Sequence, residues 1–153
     1  LPDPSCTVGA IDSAVTDANV NSTVCAKGGY TGKVRPPASL TEPAKIRLLA
    51  AYGIPRSDIS KYELDHLIPL NSGGASDVRN LWPEPNNFQK YKPGNGANDK
   101  DVVETYVWRE GICLGRVKVS AVQRAMASDW STAVASLGLP AIPSNYVAAT
   151  EAP

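Results

Sequence analysis

The chain carries a single histidine, His66, directly after Asp65 in the run Tyr62-Glu63-Leu64-Asp65-His66-Leu67-Ile68-Pro69-Leu70. An imidazole titrates near neutrality and can take a proton from water, while an adjacent carboxylate is a ligand for a hard cation. Further on, in Arg79-Asn80-Leu81-Trp82-Pro83, Asn80 offers a side-chain oxygen of the type that magnesium or manganese accepts. Hydrolysing a phosphodiester requires a nucleophile made from water, an electrophile for the non-bridging oxygen and help for the departing alkoxide. One divalent cation and one general base supply all three. His66 is the candidate base, and Asp65 and Asn80 are candidate ligands.

These side chains need a hairpin to meet. Glu63 to Leu70 predicts a strand with Leu64, His66 and Ile68 on one face, closed early by Pro69, and Asn71-Ser72-Gly73-Gly74-Ala75-Ser76 predicts a turn. Val78 to Trp82 is the expected return strand. Alternation sends Asp65 and His66 in different directions from one backbone site, so metal and nucleophile can approach phosphorus from opposite sides.

The flanking sequence supplies the support. Tyr30 to Arg35 has the β-branched and aromatic flavour of a short strand stopped by Pro36-Pro37. A helix should follow, capped by Thr41, with Pro43 in its first turn, Leu48, Leu49 and Tyr52 as its apolar stripe, and Gly53 at its end. Residues 83 to 98 are an irregular excursion. Asn98 or Asp99 can cap a helix to about Glu110, with Val102, Val103, Tyr106 and Val107 inward and Asp101, Glu104 and Trp108 on its other side. Ser120-Ala121-Val122-Gln123 has the pattern of a capping box opening a last helix through Met126, Trp130 and Val134. Residues 1 to 29 read as irregular, and the Pro/Ala-rich tail at 138–153 should pack weakly or extend, leaving 1–137 as one domain.

Composition narrows the class. The 153 residues are 42% hydrophobic and 20% charged, with 15 basic and 15 acidic side chains. That balance argues against the broad positive field of many nucleic-acid binders but permits local patches, such as Lys27, Lys33, Arg35, Lys45 and Arg47, or Lys90, Lys92 and Lys100. If folding brings these beside His66, they attract phosphate. No apolar run approaches the roughly 20 residues of a bilayer span, so no membrane association is predicted. The opening Leu1-Pro2-Asp3-Pro4-Ser5-Cys6 fits a mature secreted chain after signal-peptide removal. Of three cysteines, Cys6 and Cys25 are the expected disulfide, worth about 3 kcal/mol, with Cys113 a buried thiol. No oligomeric state is specified.

The segments Asp65-His66-Leu67-Ile68-Pro69-Leu70, Gly73-Gly74 and Asp77-Val78-Arg79-Asn80-Leu81-Trp82-Pro83-Glu84-Pro85 together resemble the HNH branch of the ββα-metal nucleases. Cys6 to Cys25, Tyr30-Thr31, Val34-Arg35-Pro36, Lys100-Asp101 with Glu104, and Ala121 to Trp130 extend the likeness to a secreted bacterial HNH-like group. The resemblance implies an α+β fold, a hairpin-plus-helix core with flanking helices. It implies an endonuclease of low sequence specificity acting on DNA, with RNA as a second candidate, and one bound Mg or Mn ion. It makes His66 the general base, Asp65 a metal ligand, and Asn80 a second ligand or the group that holds the base loop. Arg35 and Arg79 become phosphate contacts. The family often places another histidine on the helix, where this chain has none, so Glu104 or Asp101 is the expected substitute ligand. The same departure, with the near-zero net charge, fits an alternative: a non-catalytic extracellular binding or assembly module on a degenerate HNH fold.

Overall fold

The computed structural model describes residues 1–86, 98–148 and 152–153. Residues 83–86 and 98 of the expected excursion fall inside that range; its remainder, with Lys90 and Lys92, lies outside the described residues. Among the described residues the chain is mixed α and β, with five α-helices and one two-stranded antiparallel sheet.

Proline and glycine set most boundaries. Gly28 and Gly29, both with φ near +90°, redirect the chain into α1 (Thr31–Val34), a single helical turn where a strand was expected. The β preference of a few side chains yields to this local geometry. Pro36 forces Arg35 into extended backbone (φ −69°, ψ 126°), which ends the turn. Helix α2 (Ala38–Ala51) starts earlier than the Thr41 cap predicted, because extended Pro37 takes the N-cap position and its carbonyl accepts from Leu40 and Thr41. Pro43 then lies inside the helix. Leu48 and Leu49 are buried, and left-handed Gly53 (φ +69°) closes the C-terminus as predicted, with Ile54 N–H returning to Leu49 C=O.

The strands are β1 (Tyr62–His66), shorter than expected, and β2 (Leu81–Pro85), shifted three residues later than the expected return strand. Their register pairs Asp65 with Trp82, Glu63 with Glu84 and His66 with Leu81. Pro83 and Pro85 are tolerated because each strand of a two-stranded sheet has a free edge. Of the two caps expected, Asn98 takes the position before α3 (Asp99–Tyr106), and in addition forms a reciprocal capping box with Asp101. The helix continues as a widened π-helical turn, Val107–Ile112, whose Trp108 indole donates to Val24 C=O (2.9 Å).

The last helices are α4 (Val119–Asp129) and α5 (Ala133–Ser136). The predicted capping box does not form. Asp17 arrives from the N-terminal segment and accepts from both Ser120 N–H (2.9 Å) and Ser120 Oγ (2.8 Å). Gln123, freed from that role, donates to Ser72 C=O (3.0 Å) behind the hairpin loop. The apolar core gathers Val24, Val103, Val107, Trp108, Ile112, Val119, Val122 and Met126.

Two expectations about the termini are overturned. The disulfide joins Cys25 to Cys113, and Cys6 is the free thiol. Val24 and Trp108 fasten Cys25 to the end of the π-helical turn, whereas the Cys6 turn is docked elsewhere, through Thr7 to Tyr52 and to Leu81 C=O. The tail does pack: Leu139 and Ile142 lie against the core, Tyr106 Oη donates to Pro140 C=O (2.8 Å), and Tyr146 stands edge-on to Tyr106. No helix among the described residues is long and apolar enough to cross a membrane.

Candidate active site

The end of β1 opens into a cavity of about 370 Å3 lined by Asp65, His66, Glu63, Asp101, Glu104 and Arg35, among others. Alternation along β1 separates the two central side chains. Asp65 Oδ2 accepts from the Trp82 indole (2.8 Å) and from Lys100 Nζ (2.7 Å), on the face that meets α3. His66 turns away, its Nε2 lying 3.1 Å from Ser76 Oγ, which fixes the ring plane whichever group donates. Burial holds the imidazole pKa down to about 4; Asp65 opposes that shift, while Arg35 and Lys100 reinforce it. The ring is therefore neutral at pH 7, the state a proton acceptor needs.

Asn80 is fully buried and accounts for the departure from the predicted strands. Its Oδ1 accepts from Ile68 N–H (2.9 Å), and its Nδ2 donates to Ile68 C=O and Ala75 C=O (2.9 Å each). The side-chain amide imitates a paired strand residue, so the backbone after His66 can leave the sheet without stranding its polar groups. Gly74 sits so close behind that a Cβ there would strike the Ile68 carbonyl. Of the two roles considered for Asn80, this geometry is that of the loop holder. The oxygen nominated as a metal ligand is committed to a backbone amide.

Lys100 was grouped with surface lysines and is instead wholly buried. Its Nζ donates to His66 C=O (2.8 Å) and contacts Asp65 Oδ2 (2.7 Å) and Glu104 Oε2 (3.2 Å). Burial alone would discharge an ammonium, but Asp65, Glu104 and Glu84 together hold it firmly charged. The interface between hairpin and α3 is otherwise acidic. Burial and mutual repulsion push Glu84, Glu104, Glu63 and Asp101 above the usual carboxylate range. Glu63 is steadied by Asn98 Nδ2 (2.6 Å).

The structure thus brings together Asp65, His66, Glu104, Asp101 and Arg35, with Asn80 behind the loop. Arg79 is not among them. Its guanidinium forks onto Asp77 (2.7 and 3.0 Å), holding that carboxylate at about 2, and it lines a different cavity. Sequence reasoning named Lys100 only as part of a phosphate-attracting basic patch, and missed Glu63, Glu84 and Ser76 as parts of the site. The spacing of four between Lys100 and Glu104 on one predicted helix was the available signal for Lys100.

The fit of a divalent cation depends on the oxygens left over. Asp65 and Glu104 each commit one oxygen to Lys100, leaving Oδ1 and Oε1 without a contact among the described residues. No three His, Cys, Asp or Glu side chains among the described residues converge as a ligand set. Two carboxylate oxygens with water are the donor types a hard cation takes, but among the described residues Lys100 Nζ already lies against both carboxylates. In comparisons with known proteins, no family model, curated protein or solved structure matches this chain.

Proposed function

We propose that the protein is a secreted, metal-dependent endonuclease of the HNH type that hydrolyses phosphodiesters in DNA, with RNA as a second candidate substrate. The observation that carries this is the pairing of a neutral, anchored imidazole with a row of carboxylates in one polar cavity. His66 takes the proton from the attacking water. Lys100 and Asn80 keep the base in place by tying down the His66 carbonyl and the backbone of Ile68 that follows it. Arg35, exposed at the cavity rim, is suited to hold a phosphate through its guanidinium fork. Asp65 and Glu104 would hold magnesium or manganese, which when bound would supply positive charge for the non-bridging oxygen and the departing alkoxide.

Purified protein with magnesium or manganese should nick supercoiled plasmid, and His66→Ala should reduce the rate by at least about a hundredfold. Equal cleavage by the alanine variant would remove His66 as the base.

One observation favours the second reading, a non-catalytic extracellular binding or assembly module. Lys100 already supplies a cation between Asp65 and Glu104. Titrating manganese into the protein and following its electron paramagnetic resonance signal separates the two. Stoichiometric uptake that Asp65→Asn abolishes supports the nuclease, and no uptake supports the module.

A further inference from the structure

The two nitrogens of the His66 ring stand in different surroundings. Nε2 lies 3.1 Å from Ser76 Oγ, whereas Nδ1 has no hydrogen-bond partner among the described residues and is not one of the buried atoms left without one. His66 lines the cavity that holds Arg35 and the carboxylates, while Ser76 lines a neighbouring hollow of about 340 Å3 with Ile11, Val34 and Leu70. The Nε2 edge is thus turned toward the hollow, and the Nδ1 edge is left for the catalytic cavity.

Ser76 is exposed, yet it is fixed from both sides. Ala75, before it, donates its N–H to Ala10 C=O (2.9 Å), and its own C=O accepts from Asn80 Nδ2 (2.9 Å). Asp77, after it, caps the turn Val78–Asn80 by accepting from Arg79 N–H (2.9 Å), and the Arg79 guanidinium forks onto the same carboxylate. The loop therefore delivers one hydroxyl to one ring nitrogen. The Arg79–Asp77 pair, which lies outside the catalytic cavity, acquires the role of holding it there.

We propose that Ser76 is the positioning residue of the base: its Oγ accepts from Nε2–H, which fixes one tautomer of the imidazole and leaves the lone pair of Nδ1 to take the proton from water. The proposal rests on the nuclease reading and deepens it, naming the residue that selects the acting nitrogen. A neutral imidazole has one N–H and one lone pair, and the hydrogen bond made at one nitrogen decides what the other carries. Were Ser76 the donor, Nδ1 would hold the proton and the ring would face the cavity without a lone pair. With Ser76 as acceptor, its own hydrogen has solvent to turn to. The protons then balance: Nδ1 gains the one that water loses, Nε2 keeps its own, and the imidazolium that forms is still hydrogen-bonded to Ser76. Arg35, which lines the same cavity as the ring, favours this tautomer, because a positive charge attracts a lone pair and repels an N–H.

The chain has one histidine, so isotopic labelling of histidine nitrogens reports this ring alone. Long-range proton–nitrogen NMR spectra of the full chain, recorded at about pH 8 in EDTA so that the ring is neutral and metal-free, should show a protonated Nε2 and a bare Nδ1. Ser76→Ala should move both resonances toward the average of exchanging tautomers, and Ser76→Thr, which keeps the hydroxyl, should leave them in place. In plasmid nicking with manganese, Ser76→Ala should lower kcat about tenfold with KM unchanged, and Ser76→Thr should recover most of it. Because Ser76 is exposed, both variants should keep the wild-type urea midpoint. A wild-type proton on Nδ1, resonances in Ser76→Ala identical to those of the wild type, or a loss confined to KM overturns the proposal. A wild type that nicks no plasmid rejects the nuclease reading, and the nitrogen resonances then still decide whether Ser76 sets the tautomer.

Discussion

Replacing Lys100 with methionine keeps most of the side chain's volume and removes its charge from the hairpin–helix interface. The ammonium is fully buried and makes three contacts, to Asp65 at 2.7 Å, to the His66 carbonyl at 2.8 Å and to Glu104 at 3.2 Å. Removing one partner of a buried pair strands the other charge and costs about 3–5 kcal/mol, even where replacing the whole cluster by apolar groups would be neutral. With a urea slope of about 1–3 kcal/mol per molar, the unfolding midpoint should fall by roughly 2 M at pH 7. The deficit should narrow at pH 5. Carboxylates left without their cation have folded pKa values raised above the unfolded ones, so the folded variant gains stability as it takes up protons, by up to about 1.4 kcal/mol per pH unit for each. Urea titrations of both proteins at pH 7 and pH 5, followed by circular dichroism, measure this. A stability within about 0.5 kcal/mol of the wild type at pH 7, or a deficit that widens toward pH 5, would refute the electrostatic account of Lys100.

Asn80→Ala should cost about 2–4 kcal/mol, because it orphans both backbone groups of Ile68, and cleavage should fall further than the loss of folded protein explains; thermal melts run beside the plasmid assay check both. Reducing Cys25–Cys113, which closes a sequence separation of 88, should cost about 4–5 kcal/mol, whereas Cys6→Ser should leave urea midpoints unchanged with or without reductant. His66, held at about 4 against an unperturbed value near 6.5, gives the folded chain fewer bound protons than the unfolded one between those values. That contribution to stability is present above pH 6.5 and is lost as pH falls through 4, by about 3 kcal/mol, so the midpoint of His66→Gln should depend less on pH in that window. Parallel curves for the two proteins would assign the acid sensitivity to other groups.

The elements most legible in the sequence were those whose signals are local. Gly53 after an apolar stripe, and Asn98 three residues before Asp101, specify a helix end and a helix start through contacts within one turn. What failed depended on distant partners. Asp17 caps α4 across 103 residues, so a plausible local capping box at Ser120 lost to it. The disulfide likewise followed the Val24–Trp108 contact and not the nearest cysteine. Asp65 and His66 could be nominated as neighbours because strand geometry alone separates them. The burial of Lys100 could not, since the contacts that enclose it come largely from β1, through Asp65 and His66, and its own charge reads as surface in any local window.

The placement of His66 does not depend on the stiffness of its own loop. Lys100, from α3, grips the carbonyl of residue 66, and Asn80, from the return arm of the hairpin, grips both backbone groups of residue 68. The base is thus clamped from two independent elements, with Ser76 setting the ring. This arrangement divides α3 by function along its length. Val103 and Val107 face the apolar core, while Lys100 and Glu104, a turn apart on another face, meet the acidic hairpin. Filling that second face with leucine or methionine would pack more favourably than burying a lysine among carboxylates. The chain instead places a charged group where one ammonium fixes a carboxylate and the backbone of the adjacent base together. If the cluster serves positioning and not stability, a triple Lys100→Met, Asp65→Leu, Glu104→Leu protein should be at least as stable as the wild type, with its loss of nicking traceable to those side chains; a triple variant markedly less stable than the wild type would show that the cluster is kept for stability.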